Sequence, residues 1–150
     1  MAKNLARGHA VGIACNQYQG TAVACAADIS IENERLRIHR VTAALHCGLA
    51  VNPLSIESQF QGGIVFGLTQ LMKNGAITLR DGRVEQRNFD GFTPPYIGDA
   101  LASINVHIVP SDEPPTGCGE PPVPVISPAV VNALAKLTGK RYRNLPIGAL

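Results

Sequence analysis

At 150 residues, 45% of them apolar and only 16% charged, the chain is long enough for one domain with a buried core. Aromatic residues make up 5% and tryptophan is absent, so that core has to be aliphatic, rich in alanine and valine. A net charge of +2, with no basic run longer than Lys140-Arg141, excludes a nucleic-acid surface of the usual electrostatic kind, and no apolar run approaches the ~20 residues of a membrane-spanning helix.

Met1 to His9 lacks the apolar core of a secretory signal. The chain is therefore expected in the cytoplasm, or in the periplasm if it travels with an exported partner. Cys15, Cys25, Cys47 and Cys118 form no CxxC pair and have no histidine at zinc-finger spacing, so buried thiols are expected and no metal site is assigned. The low charge hints that part of the surface is covered by something else.

Residues 8–32 read as extended, with a turn at Gly20 and a small-residue apolar run from Thr21 to Ala27. Ile29 and Ile31 alternate with Ser30 and Glu32, and Asn33-Glu34 is a hairpin turn. Leu36 and Ile38 then alternate with Arg37 and His39, the period of a half-buried strand that runs on to Leu45. Asn52 as capping acceptor and Pro53 at the first helical position open a helix to Met72, with Ile56, Phe60, Ile64, Leu68 and Leu71 at helical spacing. Gly62, Gly63 and Gly67 lie inside it. Each costs ~1 kcal/mol relative to alanine, so the helix gives up stability for close approach, either of a sheet or of a ligand.

Asn74-Gly75 and Asp81-Gly82 mark tight turns and a β-hairpin. Phe89 to Ser103 is irregular, with Phe89, Phe92 and Tyr96 either anchoring the loop or lining a pocket, and Ile104 to Ile108 alternates as a further strand with His107 on its polar side. A last helix is expected from Ser127-Pro128 through Leu137, closed by Gly139, with an extended tail at Asn144 to Ile147. The expected fold is α+β in one domain over 1–150: a mixed sheet with β-hairpins, one glycine-rich helix and one C-terminal helix.

One stretch stands out, Thr116-Gly117-Cys118-Gly119-Glu120-Pro121-Pro122-Val123-Pro124. Gly117 and Gly119 permit a sharp turn, while Pro121, Pro122 and Pro124 fix φ and hold the following backbone extended. Glu120 then sits on a stiff mount, as a positioned general base would. The plain alternative is a solvated carboxylate in a Pro/Gly-rich loop.

The order of motifs carries a resemblance. Cys47-Gly48 with Val51-Asn52-Pro53, Gln59-Phe60-Gln61-Gly62-Gly63, Asp81-Gly82-Arg83-Val84 with Asn88-Phe89-Asp90, Val106 to Ser111, Gly119-Glu120-Pro121-Pro122, and Thr138-Gly139-Lys140-Arg141 to Leu145-Pro146 follow one another at compatible spacing. The series resembles the C-terminal end of the molybdenum-binding large subunit of the xanthine dehydrogenase/aldehyde oxidase superfamily, in its isoquinoline 1-oxidoreductase β-subunit and aldehyde dehydrogenase branch. It runs from about Gly8 to Ile147, and its specificity lies in the order of several short motifs.

The resemblance implies a partial molybdenum cofactor-binding domain. It makes Glu120 the general base beside the metal, Gln59 a contact to the pterin, and Gly62, Gly63 and Gly119 the bare backbone where the cofactor or its loops pass. It implies molybdopterin, in the cytosine dinucleotide form, shared with a larger molybdenum-binding chain, and iron–sulfur clusters on a separate small subunit. Aldehydes or N-heteroaromatic carbons would be oxidised with oxygen from water. Three positions depart from the pattern: Gln61 where Glu is common, His46 where an acidic residue precedes Cys-Gly, and Cys118 in place of a small apolar residue. The family's large subunit is several times longer, so this chain alone is not expected to hold the cofactor. A folded remnant without chemistry, or a small thiol or metal protein using His46, Cys47 and Cys118, are the alternatives.

Overall fold

Alternation of buried and exposed side chains along three long strands sets the architecture. The computed structural model describes residues 5–71, 75–95, 101 and 103–147. β1 (His9–Tyr18), β2 (Thr21–Glu32) and β3 (Arg35–His46) form an antiparallel meander. Val23, Cys25, Ala27 and Ile29 on β2 and Val41, Ala43 and Leu45 on β3 are buried on one face. The two connecting turns have positive φ at both central residues, 50° and 82° at Gln19-Gly20 and 51° and 60° at Asn33-Glu34. That geometry matches the twist of antiparallel strands, and both turns fall where the sequence places them.

α1 (Pro53–Gly67) starts as expected: the Asn52 side chain accepts from the Ser55 amide at 3.1 Å and Pro53 occupies the first turn. It continues into a 3-10 turn at Leu68–Leu71. A small exposed hairpin follows, β4 (Leu79–Arg80) and β5 (Arg83–Val84), turned by Asp81-Gly82. β6 (Ile104–Ile108) then pairs parallel with β3, giving a mixed sheet in the order β1-β2-β3-β6. A parallel neighbour needs a crossover connection, and the segment containing α1 provides it. Phe89 is 77% exposed, while Tyr96 and the Lys73-Asn74 part of the expected turn lie outside the described residues.

α2 (Val123–Thr138) lies across β1 and β2. Its buried stripe is Ile126, Ala129, Val130, Ala133 and Leu134, one face of a helix, and Phe60 from α1 is the one aromatic side chain in the buried core among the described residues. Gly12 on β1 lets the helix in: a Cβ there would lie 2.0 Å from the Ala129 carbonyl oxygen. Asn132 Nδ2 (3.0 Å) and Lys136 Nζ donate to the β1 carbonyls of Ile13 and Val11, so α2 also covers part of that edge strand's unpaired backbone.

α2 begins at Val123, four residues before the expected Ser127-Pro128. The prolines do not hold the chain extended: Pro122 has φ −69° and ψ −26°, helical angles. Proline's fixed φ suits a first helical turn, where its missing N–H is not needed, so the proline run serves as the helix start. Ser127 is buried inside the helix and donates to the Gly67 carbonyl oxygen at 3.0 Å, tying α2 to α1. The Gly139 C-cap holds, with φ 71° and its amide bonded to Ala135 O at 2.9 Å. The tail bends at Asn144 to Pro146, and Ile147 N reaches Leu71 O at 3.4 Å.

Candidate functional site

The Glu120 segment is anchored on both sides. Upstream, Leu49 N bonds Glu113 O and Thr116 N bonds Cys47 O, both at 2.9 Å. Gly48, with φ 72°, makes this possible. It occupies a backbone conformation L side chains avoid, and a Cβ there would lie 2.2 Å from the Pro114 carbonyl oxygen. Downstream, Pro121 and Pro122 are buried, and Val123 N bonds Glu120 O at 3.0 Å, so the first turn of α2 grows directly out of the glutamate's own carbonyl. Glu120 itself is exposed, and no side chain among the described residues bonds its carboxylate. A fixed backbone therefore carries a free side chain, next to the positive end of a helix dipole.

α1 meets this segment through Gly63. A Cβ there would lie 2.5 Å from Pro122 Cγ and 3.0 Å from the Gly119 carbonyl oxygen, so Gly63 is in direct contact with the Glu120 loop. Gly67, one turn on, does the same against Val123 and Ile126. Gly62 differs: a Cβ there would meet nothing within 4 Å. Gln59 precedes Gly63 by four residues, which puts it on the same side of α1, and its side chain is exposed. A Cβ on Gly119 would likewise meet nothing within 4 Å. Thus the fold joins Gly63, Gly119 and Glu120 and sets Gln59 one helical turn away. Gly62 faces open space beside them.

The expectation of buried thiols holds at two of four positions. Cys25 and Cys47 are buried, Cys118 is half-buried against the core, and Cys15 is exposed. Burial, with Cys15 adding, pushes the Cys25 thiol up to about 12. Burial chiefly, then Cys118, raises Cys47, while a backbone hydrogen bond lowers it. Among the described residues no three His, Cys, Asp or Glu side chains converge as a metal ion would need.

Two features escaped the sequence reading. Thr21, fully buried at the start of β2, reaches the Glu120 loop through its hydroxyl. At the other end of the sheet, His9 bonds Asp28 at 2.9 Å and stacks on His39 with ring centroids 4.2 Å apart, and His39 bonds Ser30 at 2.8 Å. Both depend on strand register, which brings together residues far apart in sequence; no local signal marks them.

A family model for the molybdopterin cofactor-binding domain matches residues 5–101, which include Gln59, Gly62 and Gly63. The isoquinoline 1-oxidoreductase subunit beta of Brevundimonas diminuta is 28% identical over 142 residues, 93% of this chain and 18% of that protein. That span necessarily includes Gly119 and Glu120. A membrane-bound aldehyde dehydrogenase of Gluconacetobacter polyoxogenes is 29% identical over 82% of this chain and 16% of its own length. Among solved structures, quinoline 2-oxidoreductase from Pseudomonas putida 86 superposes with a TM-score of 0.68 at 22% identity, over 79% of this chain and 16% of that one. Aldehyde oxidoreductase from Desulfovibrio gigas gives 0.65 at 19% identity, over 84% and 14%. The chain spans less than a fifth of the length of these curated relatives.

Proposed function

Because this chain belongs to the molybdopterin cofactor-binding domain family, we propose that it forms one wall of a molybdopterin site in a molybdenum-dependent oxidoreductase completed by a larger chain. The observation that carries the reading is the bare, open backbone of Gly62 beside the unengaged Gln59 amide, with the Glu120 segment held against the next glycine of the same helix. These residues fit one side of such a group. Gln59 can donate to or accept from its polar edge, and Gly62 and Gly119 admit it to backbone distance. This chain contributes no metal ligand of its own to the proposal.

When bound, molybdopterin with its molybdenum supplies the redox centre at which a substrate carbon is oxidised. Glu120 is the general base: its free carboxylate accepts a proton at Oε from water-derived oxygen as that oxygen is transferred. Its mount sets the direction of approach, since the backbone on either side is fixed. Aldehydes and N-heteroaromatic carbons are the substrate classes, in keeping with the names of the relatives. We extend the proposal to the cytosine dinucleotide form of the cofactor and to iron–sulfur clusters on a separate small subunit. A relative named as a subunit beta supports the multi-chain form.

The test is purification of the chain from its native source with its associated proteins, followed by elemental analysis and assay on isoquinoline, nicotinate and an aliphatic aldehyde. Molybdenum near one per chain with a larger partner is expected. Glu120→Gln should then keep the molybdenum and lower turnover at least a hundredfold, the lower end for a lost general base. Full turnover by Glu120→Gln removes the assignment of the base. A chain without molybdenum or partner leaves a folded remnant without this chemistry.

A further inference from the structure

The loop that carries Glu120 is held at residues 116 and 117 by a buried hydroxyl from a distant strand. Thr21 is fully buried, and its Oγ1 donates to the Gly117 carbonyl oxygen at 2.5 Å. A hydroxyl has one proton, so the Thr116 Oγ1, 2.7 Å away, must donate to Thr21. Thr116 N is bonded in turn to Cys47 O, one residue past the end of β3. Gly20 lies against the same side chain: a Cβ there would sit 2.8 Å from Thr116 Cγ2. Residues 116 and 117 are therefore fixed through backbone and side chain alike, three residues before Glu120.

We propose that Thr21 is a positioning residue for Glu120: by bonding the Gly117 carbonyl and the Thr116 hydroxyl it sets where the Gly119-Glu120 backbone leaves the sheet to meet Gly63. The inference rests on the reading of Glu120 as the base. Between the clasp and the glutamate lie only Cys118 and the unobstructed Gly119. Without the Thr21 hydroxyl, the upstream side keeps only the backbone bonds of Leu49 to Glu113 and of Thr116 to Cys47, the Gly117 carbonyl is released, and the carboxylate loses its fixed approach. Thr21→Val keeps the shape and removes the hydroxyl, leaving the Gly117 carbonyl unpaired. Thr21→Ser keeps the hydroxyl.

The experiment uses the full chain first. In Thr21→Val the Thr116 amide should exchange at least tenfold faster, and the NMR order parameters of Gly117, Gly119 and Glu120 should fall. Amides in the centre of β2 and β3 should stay as in the wild type, and Thr21→Ser should restore the loop. In the completed enzyme, Thr21→Val should lower kcat about tenfold at unchanged KM, and Thr21→Ser should recover it. Wild-type exchange and order parameters in Thr21→Val overturn the proposal. So does a wild-type kcat for Thr21→Val when Glu120→Gln is inactive, since the clasp would then hold the loop without serving the base. A fully active Glu120→Gln removes the base reading itself, a separate failure that Thr21 variants do not produce. Should Thr21→Val not fold, Thr116→Val removes the outer half of the same contact; it should shift the same amides, and wild-type behaviour there also overturns the proposal.

Discussion

Cys15 and Cys25 sit on paired strands, Cys25 opposite Ala14 and Cys15 opposite Ala24, yet they face opposite sides of the sheet. Cys15 is exposed and Cys25 is buried, so a thiol reagent at pH 8 should modify Cys15 in the folded chain and spare Cys25 until it unfolds. The burial of Cys25 also makes a pH prediction. Its folded value near 12 lies above the ordinary 9.0, so the folded state keeps a proton that the unfolded state loses. Stability from this group is fully present below pH 9 and falls as pH rises from 9 towards 12. Urea midpoints at pH 8 and pH 10.5 should therefore differ less for Cys25→Ala than for the wild type; equal differences would show that the thiol does not resist ionisation. At this scale the sequence was informative where the chemistry is local. The glycines and prolines flanking Glu120 mark a constrained segment, though not the conformation the prolines take in it. Thr21 gave no such signal, because its partners lie 95 and 96 residues away and reach it only because the β2–β3 register sets Cys47 near Thr21 and the loop after β6 bonds Cys47.

The glycines of α1 show how an element can be legible in type but not in use. Asn52-Pro53 and the apolar spacing make the helix readable, and three interior glycines announce close approach without saying to what. The structure divides them. Gly63 and Gly67 pack against the Glu120 loop and α2, while Gly62 faces open space. Opposite outcomes follow for the same substitution. Gly63→Ala would press on Pro122 and the Gly119 carbonyl and should destabilise by about 1–3 kcal/mol. Gly62→Ala meets no neighbour and should stabilise the isolated chain by up to ~1 kcal/mol, the helix-propensity gain. If Gly62 is bare to admit molybdopterin, Gly62→Ala should also lower molybdenum occupancy of the completed enzyme. Chemical denaturation of both variants and elemental analysis of the second decide this; a Gly62→Ala chain that is more stable and fully loaded would leave the open glycine without a role. The early start of α2 has the same origin. Prolines read as an extended run become a helix start because Pro121 and Pro122 are buried and Gly63 leaves room for them, a tertiary contact that outweighs the local preference.

The outer face of the sheet, opposite α2, bears on what the whole molecule is for. An antiparallel sheet with one solvated face ordinarily places polar residues there. Here the positions in register across the middle are Ile13, Ala26 and Thr42, then Cys15, Ala24 and Ala44. Ile13 is 59% exposed, and a shallow apolar groove runs past Cys15, Ala22, Ala24 and Ala44 to Val109. The Asp28, His9, His39 and Glu32 cluster lies at the hairpin end, while on β6 the exposed Asn105 and His107 continue the rows of Thr42 and Ala44, and His46 lines the groove. Neutral small side chains allow another backbone or side-chain layer to approach closely. If the proposed function holds, a larger chain covers this face; the chain spans less than a fifth of the length of its curated relatives. A charge at the centre of the patch should separate folding from assembly. Ala24→Arg points outward from an exposed position between Cys15 and Ala44, so the isolated chain should melt within a few degrees of the wild type. Association with the larger chain should fail, because an unpaired charge would be buried in a neutral contact. Co-purification and molybdenum content of Ala24→Arg read this directly. Loss of both with an intact fold places the outer face in the assembly. Full recovery of partner and metal would show that this face stays open in the complete enzyme and that the alanines on β2 answer to something else.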